Sequence, residues 1–270
     1  MSTPTRGDRA PGARTGTRAR REALMRLVRA GVERVEDLAD RSGVSLSTVR
    51  RDLSALEAEG RISRRYGGAT TAIPFKEQSL GERMALNTSA KRSIAEAAAD
   101  LVPENSTIFL DAGSTTAELA EHLRARTGIS VVTRGLEIAI LLAGEPGLEV
   151  TVIGGRLNAQ SHGTVGPLAD EALRHISFDV AFLGADSVDP VEGLGEPTLE
   201  ETFLKSLVAR RSHRVVVLAD SSKLHGGAVP AWADLGEGWT LVTDTGSPEE
   251  LDAYRENGIV LVTVEASAEG

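Results

Sequence analysis

Two groups of polar residues in the sequence have the types and spacing needed to bind phosphate-bearing molecules. The first runs from Ser47 to Arg51 and combines short hydroxyl side chains with two arginines. Hydroxyls and guanidinium groups can hydrogen-bond to the base edges and phosphates of duplex DNA. The second group consists of loops rich in Gly, Ser, Asp and Lys that follow apolar runs, beginning with Asp111–Thr116. Gly113 permits a tight turn there, and hydroxyls together with helical N–H groups can hold a phosphate.

The residues before and around the first group have the pattern of three short helices. Apolar residues recur at helical spacing over residues 18–30 and again over Val35–Arg41. Gly43 follows the second segment, and glycine suits the positive φ of a tight turn between helices. Ser45 can then cap a third helix over residues 46–59.

In this third helix the apolar residues recur every three or four positions and must face inward, so the hydroxyls and arginines face outward. A basic strand, Arg61–Tyr66, and a turn at Gly67-Gly68 follow it. The pattern predicts a winged helix-turn-helix, the alternative being a three-helix bundle with a charged surface. The predicted DNA-binding residues are Ser45, Ser47, Thr48, Arg50, Arg51, Arg64, Arg65 and Tyr66.

The charge of the chain is divided unevenly along its length. The net charge is −9, yet residues 1–70 contain 15 Arg and Lys against 9 Asp and Glu, a balance of +6. The other 200 residues contain 15 against 30, a balance of −15. Because salt screens charges beyond about 10 Å, a basic module can bind DNA while an acidic one has a different partner. No cysteine is present, which excludes disulfides and cysteine-based metal sites.

After residue 106 short apolar runs alternate with helical periodicity. This βαβα rhythm predicts a mostly parallel sheet covered on both faces, with ligands bound at the carboxyl ends of its strands. The candidate strands are Thr107–Asp111, Ser130–Thr133, Glu149–Ile153, Val180–Gly184, Arg214–Ala219, Trp239–Thr243 and Ile259–Val264. The candidate helices are Ser79–Asp100, Thr115–Thr127, Leu136–Gly144, Pro167–His175, Thr198–Arg211 and Pro248–Gly258.

Dense motifs make the chain resemble the DeoR family of bacterial repressors. The family's V-S-x-x-T-[IV]-R-R-D-L, L-E-x-x-G and G-G-A motifs match Val44 to Leu53, Leu56 to Gly60 and Gly67 to Ala69, with Tyr66 where the wing usually carries His. A pattern before the sheet matches at Leu80, Arg83, Asn87 and Lys91, although Arg83 and Lys91 alone would be interpreted as solvated helix charges. The family's L-D-x-G-[ST]-T, D-x-A-F-x-G-A and L-A-D-S-S-K motifs match within residues 110–223.

The resemblance implies a C-terminal domain similar to ribose-5-phosphate isomerase that binds a phosphorylated sugar or related metabolite. The implied effector-binding residues are Asp111, Gly113, Ser114, Thr115, Thr116, Arg134, Gly154, Gly155, Asp186, Lys205 and Lys223. Arg134 stands where the family usually has Asn. We expect it near the pocket mouth, favouring a more anionic effector or pairing with an acidic residue outside.

The expected organisation is a disordered basic arm (1–17), a winged helix-turn-helix (18–72), a linker with the start of a connecting helix (73–88) and an effector-sensing α/β domain (89–265). The expected function is that of a cytoplasmic regulator, a repressor of a carbohydrate operon. Its expected partners are a double-stranded DNA operator, a phosphorylated metabolite and further copies of itself, a dimer or higher homo-oligomer. No cofactor, metal or membrane is expected.

The main alternative is a sugar-phosphate isomerase with an added DNA-binding domain. Aldose–ketose isomerisation needs a positioned carboxylate, which Asp186, Glu200, Glu201 or Asp220 could supply. However, the isomerases carry a Glu beside a Lys after a glycine run, whereas here Glu201 stands four residues before Lys205 and can form an ordinary helix pair with it. A dinucleotide site is disfavoured because no G-x-G-x-x-G follows a strand, and the five histidines lack metal-ligand spacing.

Overall fold

The computed structural model divides the chain into two compact units, residues 1–76 and 77–270. The division falls within the segment expected to be a linker. The structure describes residues 20–21, 23–24, 27–28, 32, 34–58, 62–65, 68–71, 77–224, 229–244 and 248–265. Within these ranges it describes only the backbone of residues 57–58, 62–65, 68–71 and 248–250. The expected basic arm, 1–17, lies outside these residues.

The N-terminal unit contains the predicted helix-turn-helix. Its two complete helices are α1 (Val35–Ser42) and α2 (Leu46–Ala58), and the described residues between 20 and 28 are also helical. Gly43 joins α1 to α2 with φ 67°, the left-handed conformation expected of a turn glycine. The side chains of Leu24, Leu38, Val49, Leu53 and Leu56 are fully buried and form the core of this unit.

The buried carboxylate of Asp52 joins α2 to the helical segment that precedes α1. Arg20 Nε lies 2.5 Å and Arg21 Nε 3.3 Å from the carboxylate oxygens of Asp52, whose side chain is almost inaccessible to solvent. Burial by itself raises the pKa of Asp52, but the hydrogen bonds from Arg20 and Arg21 outweigh burial and hold that pKa below its usual range. Asp52 therefore orients α2 from its inner side, opposite the exposed face that carries Arg50 and Arg51.

The wing is an antiparallel hairpin of β1 (Ile62–Arg65) and β2 (Gly68–Thr71). Arg65 stands opposite Gly68 in the register, so Gly68 belongs to the second strand and its prediction as a turn residue is wrong. Tyr66 and Gly67 lie outside the described residues.

The larger unit is built on a parallel seven-stranded sheet. Its strands are β3 (Thr107–Leu110), β4 (Ile129–Thr133), β5 (Leu148–Val152), β8 (Phe178–Leu183), β11 (Ser212–Leu218), β13 (Thr240–Asp244) and β14 (Val260–Val264). Side by side they lie in the order β14-β13-β11-β8-β3-β4-β5. All seven were predicted from their apolar runs, and no strand end differs from its prediction by more than two residues.

Helices cover both faces of this sheet, as the apolar strands require. Alternate strand residues enter different cores: Val216 and Leu218 pack on one side, Val215 and Val217 on the other. The helices are α3 (Leu80–Met84), α4 (Thr88–Ala99), α5 (Ser114–Leu123), α6 (Leu136–Leu142), α7 (Pro167–Arg174), α8 (Leu199–Arg210) and α9 (Pro248–Glu256), with a 3-10 turn at Ser221–Lys223.

Two small antiparallel sheets were not predicted. Their strands have two to four residues, too few for an alternating pattern to appear, and one is a glycine-rich run in the sequence. A Cβ on Gly195 would lie 3.0 Å from the Ser187 and Trp232 side chains, so this strand pairs closely with both neighbours only as glycine. The strands are β6 (Arg156–Leu157), β7 (Thr164–Val165), β9 (Ser187–Asp189), β10 (Gly193–Glu196) and β12 (Ala231–Ala233).

The predicted helix Ser79–Asp100 is in fact two helices, α3 and α4. Asn87 separates them in the left-handed conformation, with φ 50°. Ser79 begins α3 with a capping box, since its hydroxyl accepts from the Glu82 N–H and its own N–H donates to the Glu82 carboxylate. The prediction of one continuous helix is therefore wrong, because capping and the Asn87 turn define a separate short element.

Within the described residues, no helix combines the length and apolarity that crossing a bilayer requires.

Substitution of Asp52 by Asn is expected to destabilise the N-terminal unit by roughly 1–3 kcal/mol, because two arginines lose their charged partner. Since the folded-state pKa of Asp52 is depressed, its stabilisation is present above the unfolded-state pKa, near 4, and is lost as pH falls through the folded-state value. Hydrogen exchange of the amides of residues 34–58 in increasing urea, at neutral and acidic pH, measures both effects. The exposed Asp40→Asn serves as control, and equal protection in the two variants would contradict this role.

Candidate functional site

The start of α2 presents an exposed polar surface. Ser45, Ser47, Arg50 and Arg51 are exposed and Thr48 is half-buried, while the apolar side of the same helix faces the core. The Thr48 N–H donates to Ser45 Oγ at 3.3 Å, the N-cap bond predicted for Ser45. Of the predicted wing residues, the structure describes the backbone of Arg64 and Arg65, and Tyr66 falls outside the described residues.

A pocket in the larger unit lies at the carboxyl ends of β3, β4, β8 and β11. After β3 the chain adds β4 and β5 on one side of that strand, and it then adds β8 on the opposite side. The strand order therefore reverses between β3 and β8. Ligands of open α/β sheets bind at this point. The pocket is lined by Arg83, Ala112, Gly113, Ser114, Thr115, Thr116, Arg134, Ser161, Gly184, Ala185, Glu196, Glu201, Lys205 and Lys223.

Asp111 is not one of the lining residues, but its carboxylate contacts two cationic side chains that are. Arg134 Nε donates to Asp111 Oδ1 at 2.5 Å, and Lys205 Nζ lies 3.1 Å from Oδ2. All three side chains are at most 3% exposed. Burial by itself raises the pKa of Asp111, but Arg134 and Lys205 outweigh it and lower that pKa. Asp111 is therefore an ionised buried anchor that orients the pocket cations.

Arg134 is buried in the pocket wall, not near the mouth as expected. Its Nη1 lies 3.6 Å from Glu201 Oε1 and has no hydrogen-bond partner among the described protein groups. Gly163 leaves room for the guanidinium group, because a Cβ there would lie 2.6 Å from Nη1 and 2.8 Å from Ala112 Cβ. Arg134 pairs with Asp111 below the surface because each residue directly follows a buried strand, Asp111 after β3 and Arg134 after β4.

Two buried glutamates in the lining were not predicted as site residues. Glu196 bonds to Lys205 Nζ, and burial, only partly offset by Lys205, raises the pKa of Glu196 to about 8. Glu201 accepts hydrogen bonds from Asn158, Ser161 and Thr198. The expected Glu201–Lys205 helix pair is therefore replaced, since Lys205 pairs with Asp111 and Glu196, and Glu201 with Arg134.

Arg83 and Lys91, whose sequence context alone favours solvated charges, are anchored in the structure. Arg83 lines the pocket, and its Nη1 donates to Asp186 Oδ1 at 3.0 Å. Lys91 is 3% exposed, and its Nζ donates to the carbonyls of Arg83 and Leu86. Burial lowers the pKa of Lys91 to about 8. The interpretation as solvated charges fails because both cations have oxygen partners close by.

Gly113, Ser114, Thr115, Thr116, Arg134, Lys205 and Lys223 are the predicted effector residues that line the pocket. Asp111 and Asp186 do not line the pocket themselves, but each accepts a hydrogen bond from an arginine that does. Gly154 and Gly155 do not line this pocket. A Cβ on Gly155 would lie 2.7 Å from the Val165 carbonyl oxygen, so the role that the structure gives this glycine is close backbone packing.

The missed lining residues left little signal in the sequence. Glu196 lies on a strand of four residues, and Ser161 lies in a loop between two strands of two residues each. Arg83 matches a family pattern, but helical spacing alone cannot show that it contacts Asp186, which lies 103 residues later in the chain. These residues are placed by tertiary contacts, which no local pattern records.

The arrangement can bind an anion. Four cationic side chains, from Arg83, Arg134, Lys205 and Lys223, come from different elements and face one cavity. The N-terminus of α5 adds backbone N–H groups that have no partner within the helix, and Ser114 and Thr115 add hydroxyls to the lining, whereas the Thr116 hydroxyl donates to the Gly113 carbonyl. The buried carboxylates can accept hydrogen bonds from ligand hydroxyls.

A helix-turn-helix and a ligand pocket in one chain define a ligand-responsive transcription regulator. A family model of the DeoR-like helix-turn-helix domain matches residues 20–73, and one of the DeoR C terminal sensor domain matches residues 86–245. The chain belongs to the DeoR family, as its motifs predicted. It is a DNA-binding transcription regulator, and the isomerase alternative is not favoured.

Curated relatives match over most of their length. A putative aga operon transcriptional repressor of Escherichia coli O157:H7 is 34% identical over 255 residues, covering 93% of this chain and 95% of that protein. The HTH-type transcriptional regulator GlpR of Haloferax volcanii is 36% identical over 224 residues, covering 81% and 88%.

Among solved structures, ribose 5 phosphate isomerase A from Neisseria gonorrhoeae is 24% identical, with TM-score 0.38, over 52% of this chain and 55% of that one. The full-length sorbitol operon regulator SorC from Klebsiella pneumoniae is 13% identical, with TM-score 0.38, over 92% and 96%.

Sulfate, which keeps its charge across the neutral range, is expected to bind this pocket more weakly as pH rises through about 8, the pKa of Glu196. Below that pH a protonated Glu196 contributes no negative charge, and above it the carboxylate repels the anion. Calorimetric titration from pH 6 to pH 9 measures this dependence.

Glu196→Gln is expected to flatten the pH dependence. A smaller slope remains from Lys223 in the lining, whose pKa burial lowers, and from Lys91, whose pKa lies at about 8. The exposed Glu104→Gln is the matched control. An unchanged slope in Glu196→Gln would remove Glu196 from the anion site.

Proposed function

We propose that this protein represses a carbohydrate-metabolism operon and that a phosphorylated sugar or related metabolite changes its affinity for the operator. The observation that carries the proposal is the convergence of four cations and the α5 N-terminus on one pocket. A phosphate ester supplies the anion for these groups, and sugar hydroxyls supply donors for Glu196 and Glu201. A relative named as an aga operon repressor supports the same assignment.

The proposed division of labour follows the two units. Residues 18–72 bind DNA, and residues 89–265 bind the effector. Ser47, Arg50 and Arg51 enter the major groove with Ser45 and Thr48 at the helix end, and the wing residues Arg64, Arg65 and Tyr66 reach the phosphate backbone. Two such heads on a symmetric operator require a homo-oligomer, a dimer or higher, acting in the cytoplasm.

The pocket residues have proposed roles of two kinds. Gly113 to Thr116, together with Lys205 and Lys223, hold the phosphate, and Arg134 adds a donor beside it. Asp111 and Asp186 position these cations from behind. The effector can shift operator affinity only by binding two conformations differently, with a coupling of about 1–3 kcal/mol.

The function is tested by capturing operator fragments with the full-length protein from sheared DNA of its own genome. Sequencing of the retained fragments identifies the operator, and a thermal-shift panel of sugar phosphates identifies the effector. Specific retention of a fragment beside carbohydrate genes, reversed or enhanced by one sugar phosphate, is the expected result. Retention without sequence preference would contradict it.

Arg50→Ala and Arg51→Ala are each expected to weaken operator binding by about 1–3 kcal/mol, because each guanidinium group is assigned a contact in the major groove. Fluorescence anisotropy with the captured fragment measures the loss. The exposed Arg210→Ala, in the effector unit, is the control. Wild-type affinity in both recognition-helix variants would remove α2 from the interface.

Lys205→Met and Asp111→Asn are expected to retain operator binding while losing the response to the effector, because the pocket loses a cation or the anchor that orients it. Anisotropy with and without the effector measures the response, and thermal unfolding checks the fold. The exposed Asp100→Asn should respond like the wild type. A full response in both pocket variants would mean that the effector binds elsewhere.

A further inference from the structure

The segment Glu77–Asn87, here named the pocket strap, is attached to the larger unit mainly through polar groups. Leu80 is its buried side chain, whereas Met84 is 50% and Leu86 45% exposed. The Leu80 N–H donates to the Gln160 carbonyl at 2.7 Å. A segment with so little buried apolar surface can shift at a lower free energy than the strands it borders.

Arg83 is the strap residue that reaches the pocket lining. Its side chain is 12% exposed, and Nη1 donates to Asp186 Oδ1 at 3.0 Å. The Nε atom of Arg83 is buried and has no hydrogen-bond partner among the described protein groups, and the same holds for Oε1 of Glu77. Burial, with the charges of Glu201 and Asp186, raises the pKa of Glu77. The strap therefore carries a cation whose hydrogen-bonding capacity is only partly used.

We propose that Arg83 is the residue through which the strap senses pocket occupancy, exchanging Asp186 for the anion of the ligand. A guanidinium group binds an anion most favourably with two parallel N–H groups. The unused Nε of Arg83 and Nη2, whose contact to the Gln160 carbonyl is 3.5 Å long, provide such a pair. The exchange draws the start of α3 toward the pocket. This inference rests on the proposed effector function and names the positioning residue that couples it to DNA binding.

The geometry confines the movement to the N-terminal part of the strap. At its other end, Lys91 Nζ donates to the carbonyls of Arg83 and Leu86, and Asn87 Nδ2 donates to Asp220 Oδ1 at 2.9 Å. The backbone is therefore held from Arg83 to Asn87, and the movement is confined to the residues before Arg83. Residue 77 is the first residue of the larger unit, so the part of the strap that moves adjoins the segment that leads to the DNA-binding unit.

A ligand-free comparison tests the proposal directly in the full-length protein. Asp186→Asn weakens the existing partner of Arg83, so amide exchange over residues 77–84 is expected to accelerate severalfold. The Kd for the captured operator fragment is expected to shift roughly fivefold or more, because the arrangement that the Arg83–Asp186 contact holds without ligand is lost. Wild-type strap exchange and operator affinity in Asp186→Asn overturn the proposal, whatever the effector proves to be.

The second arm uses inorganic phosphate as the probe. Excess phosphate is expected to raise the thermal midpoint of the wild type and to slow exchange over residues 77–84. In Arg83→Met the midpoint still rises, through Lys205 and Lys223, but strap exchange no longer changes, and Arg83→Lys restores part of the change. The exposed Arg92→Met is the matched control and behaves like the wild type.

The two proposals fail in different ways. Equal slowing of strap exchange in Arg83→Met and wild type overturns the role of Arg83 while leaving the anion pocket intact. If phosphate alters neither the midpoint nor exchange in the wild type, the anion pocket of the proposed function is contradicted. The ligand-free Asp186→Asn comparison then still decides whether the Arg83 contact controls the strap.

Discussion

The effector unit depends on one buried carboxylate placed at the point where strand order reverses. Asp111 directly follows β3, accepts from Arg134 and Lys205, and also accepts from the N–H of Gly184, which directly follows β8. Removing water from these charges is costly, and only mutual pairing compensates for it. The network therefore joins residues from four places in the chain into one arrangement, and all of these residues except Asp111 line the pocket.

The same principle operates on a smaller scale in the DNA-binding unit. Asp52 is buried against Arg20 and Arg21 of the helical segment that precedes α1, and the apolar residues of α2 fill the core beside it. Both contacts fix α2 from its inner side. Its outer side carries exposed polar residues, among them Ser47, Arg50 and Arg51, which is typical of a surface that binds a ligand.

The sequence predicted what local patterns encode. Apolar runs such as Val180–Gly184 identified every strand of the large sheet, and Gly43 and Ser45 identified the turn and cap of the helix-turn-helix, because φ preference and capping act within a few residues. It missed what distant contacts decide: the break at Asn87, the burial of Arg134, and Glu196 as a pocket residue. These depend on which loops meet at the sheet edge, and a charge pattern cannot show which oxygen a buried cation will find.

The space left by Gly163 links two positions of the chain that lie 29 residues apart. A side chain at 163 collides with the guanidinium group of Arg134, so a longer residue there is compatible only with a shorter residue at 134. A shorter residue at 134 is compatible with Gly163, so a change at 134 has to precede one at 163. A side chain at 163 must in addition find space beside the Cβ of Ala112, which would lie 2.8 Å from its own Cβ, so glycine is constrained at 163 from two sides.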